Sequence, residues 1–203
     1  MTEELEDIKV ILVGDSGVGK TNLIKTCVGL EFDDNTKATV SGSFLEKIID
    51  VDGIKYSLNL WDTAGQEAYR SVTKLFFKDS EIVIFVYDIT NYKSFKSLEE
   101  WINISKEIIK DKFICGIVGN KNDLYLHSQV KEEEAKKFAE IKNAKHKLVS
   151  AKTDIQSFID FLTELVKDYK CSDKKINKNI IKLNTIENED KEKTKCFWCV
   201  RIK

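Results

Sequence analysis

The segment Gly14-Asp15-Ser16-Gly17-Val18-Gly19-Lys20-Thr21 constrains this chain more than any other. It fits the pattern G-x-x-x-x-G-K-[ST] and directly follows a short apolar run, Lys9-Val10-Ile11-Leu12-Val13. Such a run predicts a parallel strand buried on both faces. Glycines let the following backbone wrap a polyphosphate with its amide N–H groups pointing inward, and a helix N-terminus adds partial positive charge. Lys20 is suited to neutralise the outer phosphates. The Thr21 hydroxyl is suited to ligate magnesium, a hard cation that favours oxygen. Read alone, the same letters describe a glycine-rich turn; the strand before them favours the phosphate loop.

The rest of the chain alternates in the same way. Ile82 to Tyr87 and Phe113 to Val118 are β-branched and aromatic runs that predict central strands, and Lys147-Leu148-Val149 predicts a short last one. Helical spacing recurs through Phe95, Leu98, Ile102, Ile108 and Ile109, and again through Phe158, Ile159, Leu162, Leu165 and Val166. Thr153 and Gln156 read as a capping box for the last helix. Leu45–Asp50 and Lys55–Trp61 flank Asp52-Gly53 and predict a hairpin. The expected fold is α/β: a doubly wound, six-stranded, mostly parallel sheet with helices on both faces and one antiparallel edge strand.

Charge gives no global lead, since 33 Lys and Arg face 34 Asp and Glu. A nucleic-acid partner is therefore not expected. No N-terminal stretch resembles a signal peptide and no apolar run approaches a membrane span, so a cytosolic protein with reduced thiols is expected. After about Cys171 periodicity gives way to Lys, Asn, Glu and Asp. The predicted organisation is one domain over residues 1–170 and a flexible tail over 171–203. That tail holds 9 Lys and Arg against 5 Asp and Glu, a net +4.

A phosphate loop alone does not choose between ATP and GTP. Asn120-Lys121-Asn122-Asp123 follows an apolar strand, and the Asp123 carboxylate can accept from guanine N1–H and its exocyclic amine, a pair adenine does not offer. Ser150-Ala151-Lys152 follows the last predicted strand. Together these motifs resemble the guanine-binding motifs of the Ras superfamily. Trp61-Asp62-Thr63-Ala64-Gly65-Gln66-Glu67 resembles its second switch, and with Tyr87-Asp88-Ile89-Thr90 it resembles the Rab branch in particular. The likeness covers roughly residues 8 to 169.

Several roles follow from that resemblance. It implies nucleotide contacts from Asp15, Ser16, Gly17, Val18, Gly19, Lys20 and Thr21, from Asn120, Lys121 and Asp123, and from Ser150, Ala151 and Lys152. It implies a magnesium set of Thr21, Thr39 and Asp62, the last through water, with Thr36 as a nearby alternative to Thr39. The Gly65 amide is expected at the γ-phosphate, and Gln66 should orient the attacking water, with Lys20 and Thr39 completing the catalytic set. Phe32 stands where the family's aromatic ring packs across the base; it also reads as a core phenylalanine.

The chain departs from the Rab pattern in Val40-Ser41-Gly42-Ser43-Phe44 and in Phe76-Phe77-Lys78-Asp79. These departures bear on which effectors bind. Cys196-Phe197-Trp198-Cys199 is not a C-a-a-X box, because Val200 is fourth from the end. Prenylation of Cys196, Cys199 or both, an unmodified tail, and half of a zinc site are the readings the pair allows. The resemblance implies a monomeric switch that binds GDP or GTP with Mg2+. It also implies an exchange factor, a GTPase-activating protein and effectors at the switch regions, and a seat on the cytosolic face of an internal membrane if the tail is prenylated. A Ras-like signalling GTPase, a nucleotide-binding scaffold with little turnover, and a P-loop kinase or ATPase are the competing classes.

Overall fold

The computed structural model of the protein describes residues 5–36, 39, 43–63, 76–110 and 113–172. Its first compact unit, Met1–Lys167, contains a six-stranded sheet in the order β2-β3-β1-β4-β5-β6. The strands are β1 (Glu6–Val13), β2 (Ser43–Val51), β3 (Ile54–Asp62), β4 (Ile82–Asp88), β5 (Ile114–Asn120) and β6 (Lys145–Leu148). Among the named strands of the described residues, β2 and β3 pair antiparallel and the other pairings are parallel. From Asp168 a second unit begins, and its described residues, 168–172, are helical.

The hairpin follows from its turn. Asp52 and Gly53 both take positive φ, 55° and 83°, as a two-residue turn matched to strand twist requires. The Asp50 carboxylate accepts from the Gly53 amide at 2.9 Å and locks the corner. β1 lies between β3 and β4, and the seven residues of β4 are all buried, which explains why both strands read as continuous apolar runs.

Strand period then sorts the core. Ile11, Val13, Val83, Phe85, Tyr87 and Ile117 pack with α2 (Tyr92–Lys96), α3 (Leu98–Ile109) and α4 (Glu132–Ile141). On α3 the buried positions are Leu98, Trp101, Ile102 and Ser105, spaced i, i+3, i+4 and i+7. Each fully buried Leu or Ile there contributes about 2 kcal/mol. The helical stretch expected around Phe95 to Ile109 is two helices, because the chain re-starts at Ser97. Asn91 caps the first of them, accepting from the Lys93 and Ser94 amides.

Two expected boundaries are corrected. The last helix, α5 (residues 155–167 of this unit), is capped by Asp154 rather than by Thr153 with Gln156. Asp154 accepts from the Ser157 amide at 3.2 Å and from its hydroxyl at 2.7 Å, which lowers the carboxyl's pKa. Gln156 turns outward to Asp160. The Thr153 amide is already committed to Ser150 Oγ at 3.0 Å, so the helix starts one residue later. β6 runs Lys145–Leu148, not 147–149, because the Val149 carbonyl accepts from the Asn122 amide and serves the loop.

The polar start of β6 is held by His146, which stacks on Tyr87 at 6.2 Å and shares a hydrogen bond with its hydroxyl at 3.1 Å. Loss of hydration pushes the imidazole down to about 4, with Glu132 opposing and Lys136 assisting. The folded imidazole therefore stays neutral while the unfolded one charges near its ordinary pKa. Its contribution to stability is complete above about pH 6.5 and is lost as pH falls toward 4, up to roughly 3 kcal/mol. Urea midpoints across that window should fall more steeply for the wild type than for His146→Gln, which keeps an acceptor for Tyr87. Parallel curves would exclude His146 as the source.

Candidate functional site

The phosphate loop leaves the buried end of β1 and enters α1 (Lys20–Cys27). Lys20 is 5% exposed, and its ammonium donates to the Gly14 carbonyl at 2.7 Å and the Asp15 carbonyl at 2.9 Å. Burial lowers its pKa to about 8, against the opposing pull of Asp62 and Asp15. A cation so poorly hydrated and bonded to its own loop is a strong partner for an incoming anion.

Beside it three oxygen-bearing groups converge. Thr21 Oγ1 donates to Asp62 Oδ2 at 2.8 Å, Thr39 Oγ1 donates to the same oxygen at 3.1 Å, and the two hydroxyls lie 2.9 Å apart. The other carboxylate oxygen, Asp62 Oδ1, is buried with no hydrogen-bond partner. An orphaned carboxylate oxygen beside two hydroxyls fits a small hard cation. Thr21, Thr39 and Asp62 would hold Mg2+ there, with nucleotide phosphates and water supplying its remaining oxygens. The alternative threonine, Thr36, is engaged elsewhere, donating to Asn22 Oδ1 and the Asp33 carbonyl.

The far side of the site is built from two loops tied to the glycine-rich loop by Asn120. Asn120, 2% exposed at the end of β5, donates through Nδ2 to the Val18 carbonyl at 2.9 Å, and its Oδ1 accepts from the Ala151 amide at 3.2 Å. Ser150 donates to Asp123 Oδ1 at 2.6 Å and itself accepts from the amides of Lys152 and Thr153. Lys121, with φ 65°, pairs with Asp88 at 2.6 Å. Lys152 Nζ lies 5.4 Å from the centroid of the half-buried Phe32 ring.

These groups border one cavity of about 490 Å³. Ser16, Gly17, Gly19, Lys20 and Thr21 line it on the side of the glycine-rich loop, and Phe32, Asn120, Lys121, Asp123, Ala151 and Lys152 line it on the other. Thr39 lines it as well. Asp15, Val18 and Ser150 act from behind the wall: Asp15 and Val18 through their carbonyls, Ser150 by fixing Asp123. Gly65, Gln66, Cys196 and Cys199 lie outside the described residues.

Reasoning from the sequence missed several contributors, Thr63 in the cavity lining among them. Asn22, Asp33, Asp34 and Leu124 line the same cavity, and the Trp101 indole donates to Asp15 Oδ1 at 3.0 Å from α3. Asn22 carried a faint signal as a polar residue before Leu23 and Ile24 in a short helix. Trp101 carried none, because its place in a helical apolar stripe reads as core.

The model of the Ras family matches residues 9–170. Ras-related protein Rab-21 of Geodia cydonium is 41% identical over 144 residues, 71% of this chain and 63% of that protein. Rab-26 of Bos taurus is 39% identical over 168 residues, 80% of this chain and 63% of the relative, and Rab-11C of Dictyostelium discoideum is 38% identical over 167 residues, 80% and 75%. The chain belongs to the Rab branch of the Ras family. It spans 63% of the length of the Rab-21 and Rab-26 relatives. As a Rab it is divergent, and Phe44 stacks on Trp61 at 5.0 Å while Trp61 meets Phe76 tilted at 5.8 Å, although the residues between Thr39 and Phe44 depart from the usual pattern. No helix among the described residues is long and apolar enough to cross a membrane.

Proposed function

We propose that this Rab protein binds GDP and GTP with Mg2+, hydrolyses GTP slowly and works as a nucleotide-dependent switch in membrane trafficking. The observation that carries the reading is Asn120, which ties the Asp123 loop and the Ala151 loop to the phosphate loop around one cavity. A pocket with an amine-neutralised phosphate end and a carboxylate at the base end matches a guanine nucleotide and mismatches adenine. Bound Mg2+ would neutralise charge on the outer phosphates. Lys20 binds and orients those phosphates, Thr21 and Thr39 present hydroxyl oxygens beside Asp62, and Phe32 with Lys152 covers the base end.

In this reading Gly65 contacts the γ-phosphate and Gln66 orients the water. Ordering of the segments around Thr39 and Gly65 by GTP, and their release on hydrolysis, makes the switch. An exchange factor, a GTPase-activating protein and effectors engage those segments, and Phe44, 53% exposed, offers effectors an aromatic face. Prenylation at Cys196, Cys199 or both, with help from the basic tail, seats the protein on the cytosolic face of an internal membrane.

Single-turnover phosphate release from the GTP-loaded chain tests the catalytic half. Turnover should be slow for the wild type, rise on the order of 10³-fold or more when a partner supplies an arginine, and fall in Gln66→Leu with GTP still bound. Tight GTP binding with no release in either protein would make the chain a non-hydrolysing scaffold instead.

A further inference from the structure

The base end of the cavity carries an ion pair that reading guanine does not by itself require. Lys152 Nζ donates to Asp34 Oδ1 at 3.1 Å and Oδ2 at 3.2 Å, joining residues 118 positions apart. The same ammonium lies over the Phe32 ring, so one lysine is held from two sides by the segment that follows α1. That segment is itself fixed. Asn22 Nδ2 donates to the Asp33 carbonyl at 2.9 Å, its Oδ1 accepts from Thr36 at 3.0 Å, and Asp33 Oδ1 accepts from the Asn35 amide at 2.8 Å. Asp34 thus projects from a strap anchored to α1 on one side and reaches the Ala151 loop on the other.

We propose that Asp34 is a positioning residue whose carboxylate, by holding Lys152 over Phe32, latches the base end of the cavity and slows nucleotide release in a salt-dependent manner. The inference rests on the guanine-nucleotide reading above. Its physics is that of a half-exposed pair: the Lys152 and Asp34 side chains are 49% and 69% exposed. Screening therefore reaches the latch, and its strength is modest. Loss of such a pair changes a rate by about two- to fivefold at low salt. Near 1 M salt, where the screening length is about 3 Å, the latch contributes almost nothing. A partner that places its own cation against Asp34, or its own anion against Lys152, would open the same latch.

The test uses the full chain loaded with a fluorescent GDP and chased with excess GDP, at about 0.05 M and about 1 M salt. Asp34→Asn should release nucleotide about two- to fivefold faster than wild type at low salt, with the gap closing at high salt. Asp34→Glu, which retains a carboxylate, should restore most of the wild-type rate. Asp52→Asn, which removes a remote exposed pair to Lys167 at 2.8 Å, should leave the rate unchanged. Equal low-salt rates for Asp34→Asn and wild type overturn the latch, as does a gap of the same size at both salts, which marks a structural loss. If fluorescent GDP fails to load onto wild type, the nucleotide reading falls and the latch with it. If it loads and the rates match, only the latch falls.

Discussion

A chain carrying Asp123→Asn is expected to lose GDP affinity on the order of 10³-fold while gaining affinity for xanthosine diphosphate. In the guanine-nucleotide reading the carboxylate would accept from guanine N1–H and the exocyclic amine, and each such charge-assisted bond is worth about 2 kcal/mol. An amide at the same place offers one acceptor and one donor, so it faces the guanine amine with an N–H, whereas the C2 oxygen of xanthine can accept from it. The variant is informative because its loop has reason to stay in place. Ser150 donates to Asp123 Oδ1, and an asparagine oxygen accepts equally well there. Competition titration with GDP, xanthosine diphosphate and ADP reads the result. A variant with wild-type GDP affinity would remove Asp123 from the base site, and equal affinities of wild type for ADP and GDP would remove the guanine reading altogether.

Gly19→Ala should damage both fold and binding, and by more than any glycine change in an open turn. Gly19 sits at φ 94°, and a Cβ placed on it would stand 2.3 Å from Asn120 Nδ2. The methyl must therefore displace the one side chain that joins the three loops. Asn120 makes two buried hydrogen bonds, to the Val18 carbonyl and from the Ala151 amide, and a buried polar group left unpaired costs about 1–3 kcal/mol. With backbone strain of roughly 1–2 kcal/mol, the expected loss is about 4 kcal/mol, or a fall in melting temperature of about 10 °C. Gly53→Ala, at φ 83° with nothing within 4 Å of its Cβ, should show the strain alone. Equal melting temperatures for the two variants would mean that the Asn120 crosslink contributes nothing.

Much of this could be read from the letters because each legible feature is local. The strand is apolar from Ile82 to Tyr87 because all of its residues are buried, and Asp52-Gly53 announces its turn by the φ values those residues tolerate. The motifs around Lys20 and Asp123 are legible for the same reason: the ligand proposed for them would demand fixed residue types at fixed spacing. What stayed hidden depends on pairs distant in sequence. Trp101 meets Asp15 across 86 positions and Lys152 meets Asp34 across 118, and neither partner has unusual neighbours in the chain. Boundary errors were of a third kind. Lys145 and His146 look like loop because an edge strand tolerates polar residues, and Thr153 looks like a cap although Ser150 has already claimed its amide.

The position of β1 in the middle of the sheet bears on how slowly different parts of this molecule breathe. Its backbone is paired on both sides, to β3 and to β4, and Ile8, Val10, Ile11 and Leu12 have no exposed surface. Amide protons there should reach solvent only through opening of the whole unit, whereas in the strap at residues 33–36 the Asn35 amide is held by the Asp33 carboxylate and the Thr36 amide by one 3.4 Å bond to the Asp33 carbonyl. The cavity is therefore expected to span slow-exchanging and faster-exchanging segments of one unit. In the guanine-nucleotide reading, a partner that ejects nucleotide quickly would work from the strap side, since prising the phosphate loop from its strand would approach the free energy of unfolding.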